Sequence, residues 1–190
     1  MTPILGITAS SITPFTLGDF ESIATVTVGS GGSANITFSS IPSDFQHLQI
    51  RLFGRTTRAA NQDAVLLELN GDSGNNYQRA HYLYGDGSSA AAGSDGLGAY
   101  GASYRIAAAT SASNIFGTII YDLLDYTSTN KHKTARILGG YDRNGGGEIW
   151  FSSFLWFPST IAAINSIKLT PSTGGNFVEY SQAALYGIKG

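Results

Sequence analysis

Hydrophobic and polar residues alternate one for one along much of this chain, the period of a strand with one buried face. In HLQIRLF (residues 47–53), Leu48, Ile50 and Leu52 share one face, with Gln49 and Arg51 on the other. AVLLELN (64–70) repeats the pattern through Val65, Leu67 and Leu69, with Glu68 outward. Helical spacing is nearly absent, since the Ala-rich pieces SSAAAGSDG and RIAAATSAS are short and bounded by Ser and Gly. Candidate strands lie near residues 20–28, 34–38, 47–57, 64–70, 78–84, 103–109, 115–127, 133–142, 147–157, 163–170 and 177–188. One or two of them merge to give about ten. Between them sit GSGGS, SIPSDF, RNGGG and PSTGGN, whose residues favour turns. The pattern predicts an all-β fold: an antiparallel β-sandwich, jelly-roll-like, formed by residues 20–190 as one domain. Residues 1–19 carry Pro3 and Pro14 and little alternation, and read as an extended N-terminal arm for assembly or docking. The Gly/Ala/Ser stretch 85–103 reads as one long loop.

One strand breaks the rule. In EIWFSSFLWF (148–157), Trp150, Phe154 and Trp156 share one face while Ile149, Phe151, Leu155 and Phe157 share the other. A sheet with one solvated face alternates apolar with polar, so the second apolar face needs a cover. That cover is a loop of the same chain or another subunit. The candidate assembly residues are therefore Ile4, Leu5, Ile7 and Phe15 of the arm, with Trp150, Phe154 and Trp156.

Composition strengthens this picture. Charged residues are 13% of the 190, about half the usual quarter. The 24 glycines are also in excess. A surface so poor in charge suits packing against copies of itself or other proteins. A chain this long needs no staple to bury a core, in keeping with the absence of Cys, which excludes disulfides and thiolate chemistry. The net charge of −2 argues against a nucleic-acid partner. Arg51, Arg55 and Arg58 form the one basic cluster, which reads as a solvated strand edge. No apolar run approaches the roughly 18 residues of a membrane span, and no signal peptide is expected.

Tests for chemistry return little. GLGAYG (Gly96, Gly98, Gly101) has dinucleotide-loop spacing, but a strand-like run follows where the motif needs a helix. His47, His81 and His132 fall in unrelated segments. Asp122 and Asp125 alternate to opposite strand faces, the wrong arrangement for a carboxylate pair. Asn35 heads a glycosylation-type triplet of a kind that chance often supplies. NGDSGNNY (70–77) offers several oxygens but only one carboxylate, Asp72, and lacks calcium-loop spacing. Asn-Gly followed by Asp-Ser-Gly is foremost a turn signal. A sugar site built from Asp72, Asn76, Tyr77, Tyr82, Tyr84 and Tyr100 is the alternative use of these loops. No catalytic residue, cofactor or metal ion is expected.

Four segments also resemble a known group. ILGITASS, FESIATVTVGSGGSANITFSSIPSDFQHLQIR, NGDSGNNYQRAHYLYGDGSSA and the ending SIKLTP…NFVEYSQAALYGIKG, in that order, are similar to small β-rich virion structural proteins of tailed bacteriophages. The resemblance implies a non-enzymatic component on the particle exterior, made in the host bacterial cytoplasm. Its partners would be copies of itself, as a trimer, and other virion proteins such as the major capsid or tail protein. Capsid decoration is the first expectation, because no heptads or repeats of a long fibre shaft occur. A tail-fibre or receptor-binding module recognising a host surface glycan is the second.

Overall fold

The computed structural model describes residues 18–143 and 145–190. Of the expected arm, Ile4, Leu5, Ile7 and Phe15 lie outside the described residues. Thirteen named strands occur among the described residues and no helix. In chain order they are β1 (Phe20–Thr27), β2 (Ile36–Phe38), β3 (His47–Gly54), β4 (Gln62–Leu69), β5 (Tyr77–Gly85), β6 (Ala90–Gly93) and β7 (Gly96–Gly98). The rest are β8 (Gly101–Ala107), β9 (Gly117–Leu123), β10 (Lys133–Asp142), β11 (Gly147–Trp156), β12 (Ile167–Pro171) and β13 (Gln182–Ile188).

The strands form two antiparallel sheets. The large one runs β1-β13-β3-β9-β10-β11-β5-β6, with β7 also paired to β5; the small one runs β2-β12-β4-β8. Their inner faces share one apolar core. Leu48, Ile50 and Leu52 of β3 and Ile119, Tyr121 and Leu123 of β9 meet Val65, Leu67 and Leu69 of β4 within it. This is the expected all-β sandwich; the pairing order alone does not make it a jelly roll.

The alternation in β3 and β4 maps onto burial residue by residue. Glu68 departs from it. Its side chain is largely buried, and its carboxylate lies 2.8 Å from the Lys168 ammonium on β12. Two of the expected strands are shorter than their hydrophobic runs, because the backbone turns left-handed at Asp125 (φ 48°) and Tyr180 (φ 68°). Such a φ breaks regular strand pairing, and where it falls inside a strand, at Arg105 (φ 70°) of β8, the register shifts.

The expected loop at 85–103 is instead mostly sheet. β6 and β7 both pair with β5, with Leu83 opposite Ala92 and Gln78 opposite Leu97. Glycine leaves room here for side chains of β5 to lie against these strands. A Cβ on Gly93 would sit 2.5 Å from the Tyr82 hydroxyl, and one on Gly98 would sit 2.8 Å from the Arg79 guanidinium. Gly101, the third glycine of GLGAYG, starts β8 with the Phe154 ring against it. These glycines serve close packing rather than phosphate binding.

Candidate functional site

β11 lies between β10 and β5, and its residues 149–156 have a fixed partner on both sides. Glu148, Trp150, Ser152, Phe154 and Trp156 face inward, and the aromatic three are only 4%, 1% and 3% exposed. The Trp150 indole N–H donates to Glu148 Oε2 at 3.0 Å, and that of Trp156 donates to Asp72 Oδ2 at 2.7 Å. Phe154 meets the Tyr77 ring edge-on at 5.9 Å between centroids. The expectation that Trp150, Phe154 and Trp156 form an assembly surface is therefore corrected. All three are spent within the monomer, and no other subunit could reach them without unfolding β11.

The opposite face of β11 is bare. Leu83, Phe151 and Leu138 are direct partners across β5, β11 and β10, and are 53%, 47% and 47% exposed. Ala92 extends this row onto β6, and half-buried Ile120 extends it onto β9. In the next row Ile149, 66% exposed, stands between Gly140 on β10 and Gly85 on β5. Half-buried Leu155 and exposed Leu97 lie farther along the same face. A groove of about 520 Å³ opens beside Phe151 and Leu83, with His81, Ser94 and Ser153 on its wall.

The same sheet face over β3, β9 and β13 is organised differently. The Gln49 amide donates to Asp122 Oδ1 at 2.8 Å, Arg51 Nε donates to Gln49 Oε1 at 2.8 Å, and the Arg136 guanidinium lies 3.8 Å from Asp122. Arg51 also covers the Phe20 and Tyr186 rings, at 5.3 and 5.2 Å. Phe53 stacks on Phe116 at 4.8 Å. Here large side chains have neighbours; over β10, β11 and β5 the apolar ones face outward together.

The alternative sugar site does not assemble as expected. Tyr77 is fully buried, so it cannot contact a glycan; its hydroxyl donates to the Asp72 carbonyl and accepts from the Leu69 amide. Burial pushes its phenol well above the ordinary tyrosine value. Asp72 is also engaged. Its Oδ1 accepts from the Gly74 amide at 2.9 Å, while its carboxylate accepts from the Asn76 side chain at 3.0 and 3.1 Å and from Trp156. Burial opposes ionisation here, yet the hydrogen bonds from Trp156, Asn76 and Gly74 together hold the carboxyl below its ordinary value.

Tyr82 and Tyr84 pair with Ser152 and Trp150 on the inward face of β5. Tyr84 stacks on Trp150 at 4.4 Å, with the Arg105 guanidinium 4.6 Å from the Trp150 ring. Tyr82 is five residues from Tyr77, about 17 Å along the strand. Tyr100 is half-buried between β7 and β8. The turn reading of Asn70 and Gly71 holds. Both adopt positive φ (54° and 71°), and the Asp72 amide donates back to the Leu69 carbonyl at 2.9 Å. The Asn70 side chain then ties down residues 163–166, donating to the Ala163 carbonyl and accepting from the Asn165 and Ser166 amides.

Sequence reasoning missed two buried carboxylates. Asp63 accepts from Thr56, Ser172 and the Ala64 amide, joining three separate segments. Glu148 accepts from Arg105, Arg143 and Trp150. Neither is legible locally as buried, since burial also needs a distant partner, Ser172 for Asp63 and Arg105 for Glu148. Among the described residues no three His, Cys, Asp or Glu side chains converge as a metal site. His47 Nδ1 accepts from the Asp125 amide at 3.0 Å, His81 lines the groove, and His132 meets Phe157 edge-on. No family model, no curated protein and no solved structure matches this chain.

Proposed function

We propose that this chain is a non-catalytic structural protein of a tailed-phage particle, displayed on the exterior as a homo-oligomer, with capsid decoration as its role. The observation that carries the reading is the bare apolar row of Leu83, Phe151 and Leu138 with Ile149 beside it. Contiguous exposed apolar patches on a sheet face mark interaction surfaces. A chain with 13% charged residues has few other means of keeping such a surface from association. The segments similar to phage virion proteins point the same way. Immunogold imaging of purified particles, with antibody raised against this chain, tests the reading. Label over the capsid shell is expected. Label confined to the tail would replace decoration by a fibre role, and unlabelled particles from cells that make the protein would sink the virion reading.

One observation favours a receptor-binding role. The groove beside Phe151 joins an apolar wall to His81, Ser94 and Ser153, the mixture that a sugar ring with one apolar face needs. A glycan array probed with the protein should then show hits that vanish in Phe151→Ala. A blank array removes this reading and leaves the structural one intact.

A further inference from the structure

We infer that the outer face of β11, with its neighbours β10 and β5, is the seat of a second copy of this chain. This rests on the reading of the chain as a self-associating component and deepens it by naming the surface. Three observations select a copy of itself as the occupant.

The first is charge. The centre of the patch, Leu83, Leu138, Ile149 and Phe151, carries none. The adjoining row carries Arg136 and Asp122, one of each sign and 3.8 Å apart. A rim with both signs can meet its own image, because a rotation that opposes two faces can set each Arg136 towards an Asp122. A partner chosen for opposite charge would instead be met by a rim of one sign.

The second is the edge. Among the described residues β6 has a sheet partner on one side only, and its Ala90, Ala91 and Ala92 are exposed. Open edges are normally blunted by charge, proline or a bulge. The opposite edge strand, β1, has Glu21 and a bulge between Ser22 and Ala24. β6 has neither, and it adjoins the patch directly through β5. The unprotected edge and the bare face thus sit at the same end of the sheet, where one neighbour covers both.

The third is area. Four apolar side chains, each 47% or more exposed and set in two adjacent rows, make a patch on the order of a few hundred Å². A standard interface needs about 800 Å² from each partner. The patch supplies its apolar centre, and the β6 edge, Leu97 and the polar row supply the rim. That is the anatomy of an interface with a water-excluded core.

The test is the association state of the full chain by sedimentation velocity, at concentrations up to roughly 100 μM. An oligomer is expected. The double variant Ile149→Lys with Phe151→Lys should weaken association by at least about 100-fold, since it would bury two unpaired charges at the centre. Its far-UV spectrum and denaturant midpoint should stay those of the parent, because both side chains point outward. A polar control at the opposite edge of the sheet, Thr25→Lys with Thr27→Lys on β1, where both residues are exposed, should associate as the parent does. A monomeric parent overturns the proposal, as does an oligomer that survives the double variant. Equal loss in the polar control also overturns it. So does loss on replacing Ile4, Leu5, Ile7 and Phe15 by Ser in the full chain while the face variant still associates. Labelled particles together with a monomeric parent would defeat this surface and leave the virion reading standing. An oligomer abolished by the face variant, with unlabelled particles, would do the reverse.

Discussion

The two faces of β11 are equally apolar in sequence and opposite in fate. Inward, Trp150, Phe154 and Trp156 are closed over by β8 and the 72–76 turn, and both indole N–H groups find carboxylates. Outward, Ile149 and Phe151 meet cross-strand neighbours that are glycine or equally exposed. The difference is not in the residues of the strand but in what the rest of the chain supplies. The small sheet has four strands against nine and packs on one side of the large one. A two-layer fold closes one side of its wider sheet and leaves the other to composition, which over β3 and β9 is mixed, with Gln49, Arg51 and Asp122 linked, and over β10, β11 and β5 is mainly apolar.

Substitutions on the two faces should separate them sharply. Phe154→Ala, on the inner face, should cost about 3–5 kcal/mol in chemical denaturation, the range for truncating a buried ring. A cost below about 1 kcal/mol would mean that the inner face is not the core. Glu148→Ala should come next, at about 2–3 kcal/mol, because it strands the Trp150 N–H and leaves Arg105 and Arg143 without their shared acceptor.

The acid limb is a subtler test of the same face. Asp72 has a folded pKa below its ordinary value, so the unfolded chain binds more protons as pH falls below about 4. Its contribution is complete above that range and is lost as pH drops through the folded value. Denaturant midpoints of Asp72→Asn should therefore fall less between pH 7 and pH 3 than those of the parent. The limb should not vanish, because Asp86, held by the Ser89 and Ser88 amides, and Asp125, held by Gln46 and Lys131, are also lowered. An unchanged limb would mean that the Trp156 bond does not select the carboxylate.

The smallest effect belongs to the outer face. Ile149→Thr should change monomer stability by no more than about 0.5 kcal/mol, as exposed positions do. A loss near that of Phe154→Ala would erase the contrast between the two faces.

Much of this was legible in the sequence, for a physical reason. Where one face is polar, alternation fixes both the strand and its orientation, and Leu48, Ile50, Leu52, Val65 and Leu67 all turn inward as their spacing requires. The orientation of β11 was not legible. With both faces apolar, the sign is set by partners over 70 residues away, such as Asp72 below Trp156. β6 and β7 escaped for a different reason. Ala and Gly give no alternation, and those strands exist because β5 offers a pairing edge and the missing side chains let Tyr82 and Arg79 lie against them. The patch left a local trace only in β11, through Ile149 and Phe151; its continuation to Leu83 and Leu138 exists only once three strands are in register.

Ile149 is a tooth between two gullies. Glycine occupies the cross-strand position on each side of it, Gly140 and Gly85. The first gully cannot be filled cheaply, because a Cβ on Gly140 would come within 2.9 Å of the Glu148 carbonyl oxygen, which is backbone. Relief of this kind meshes like a gear. A surface that seats on it must receive the tooth and send something into the gullies. Sliding it sideways by one strand spacing, about 4.8 Å, sets ridge on ridge. Contact there is thus restricted to one registration across the strands, whatever the strength of the apolar contact itself.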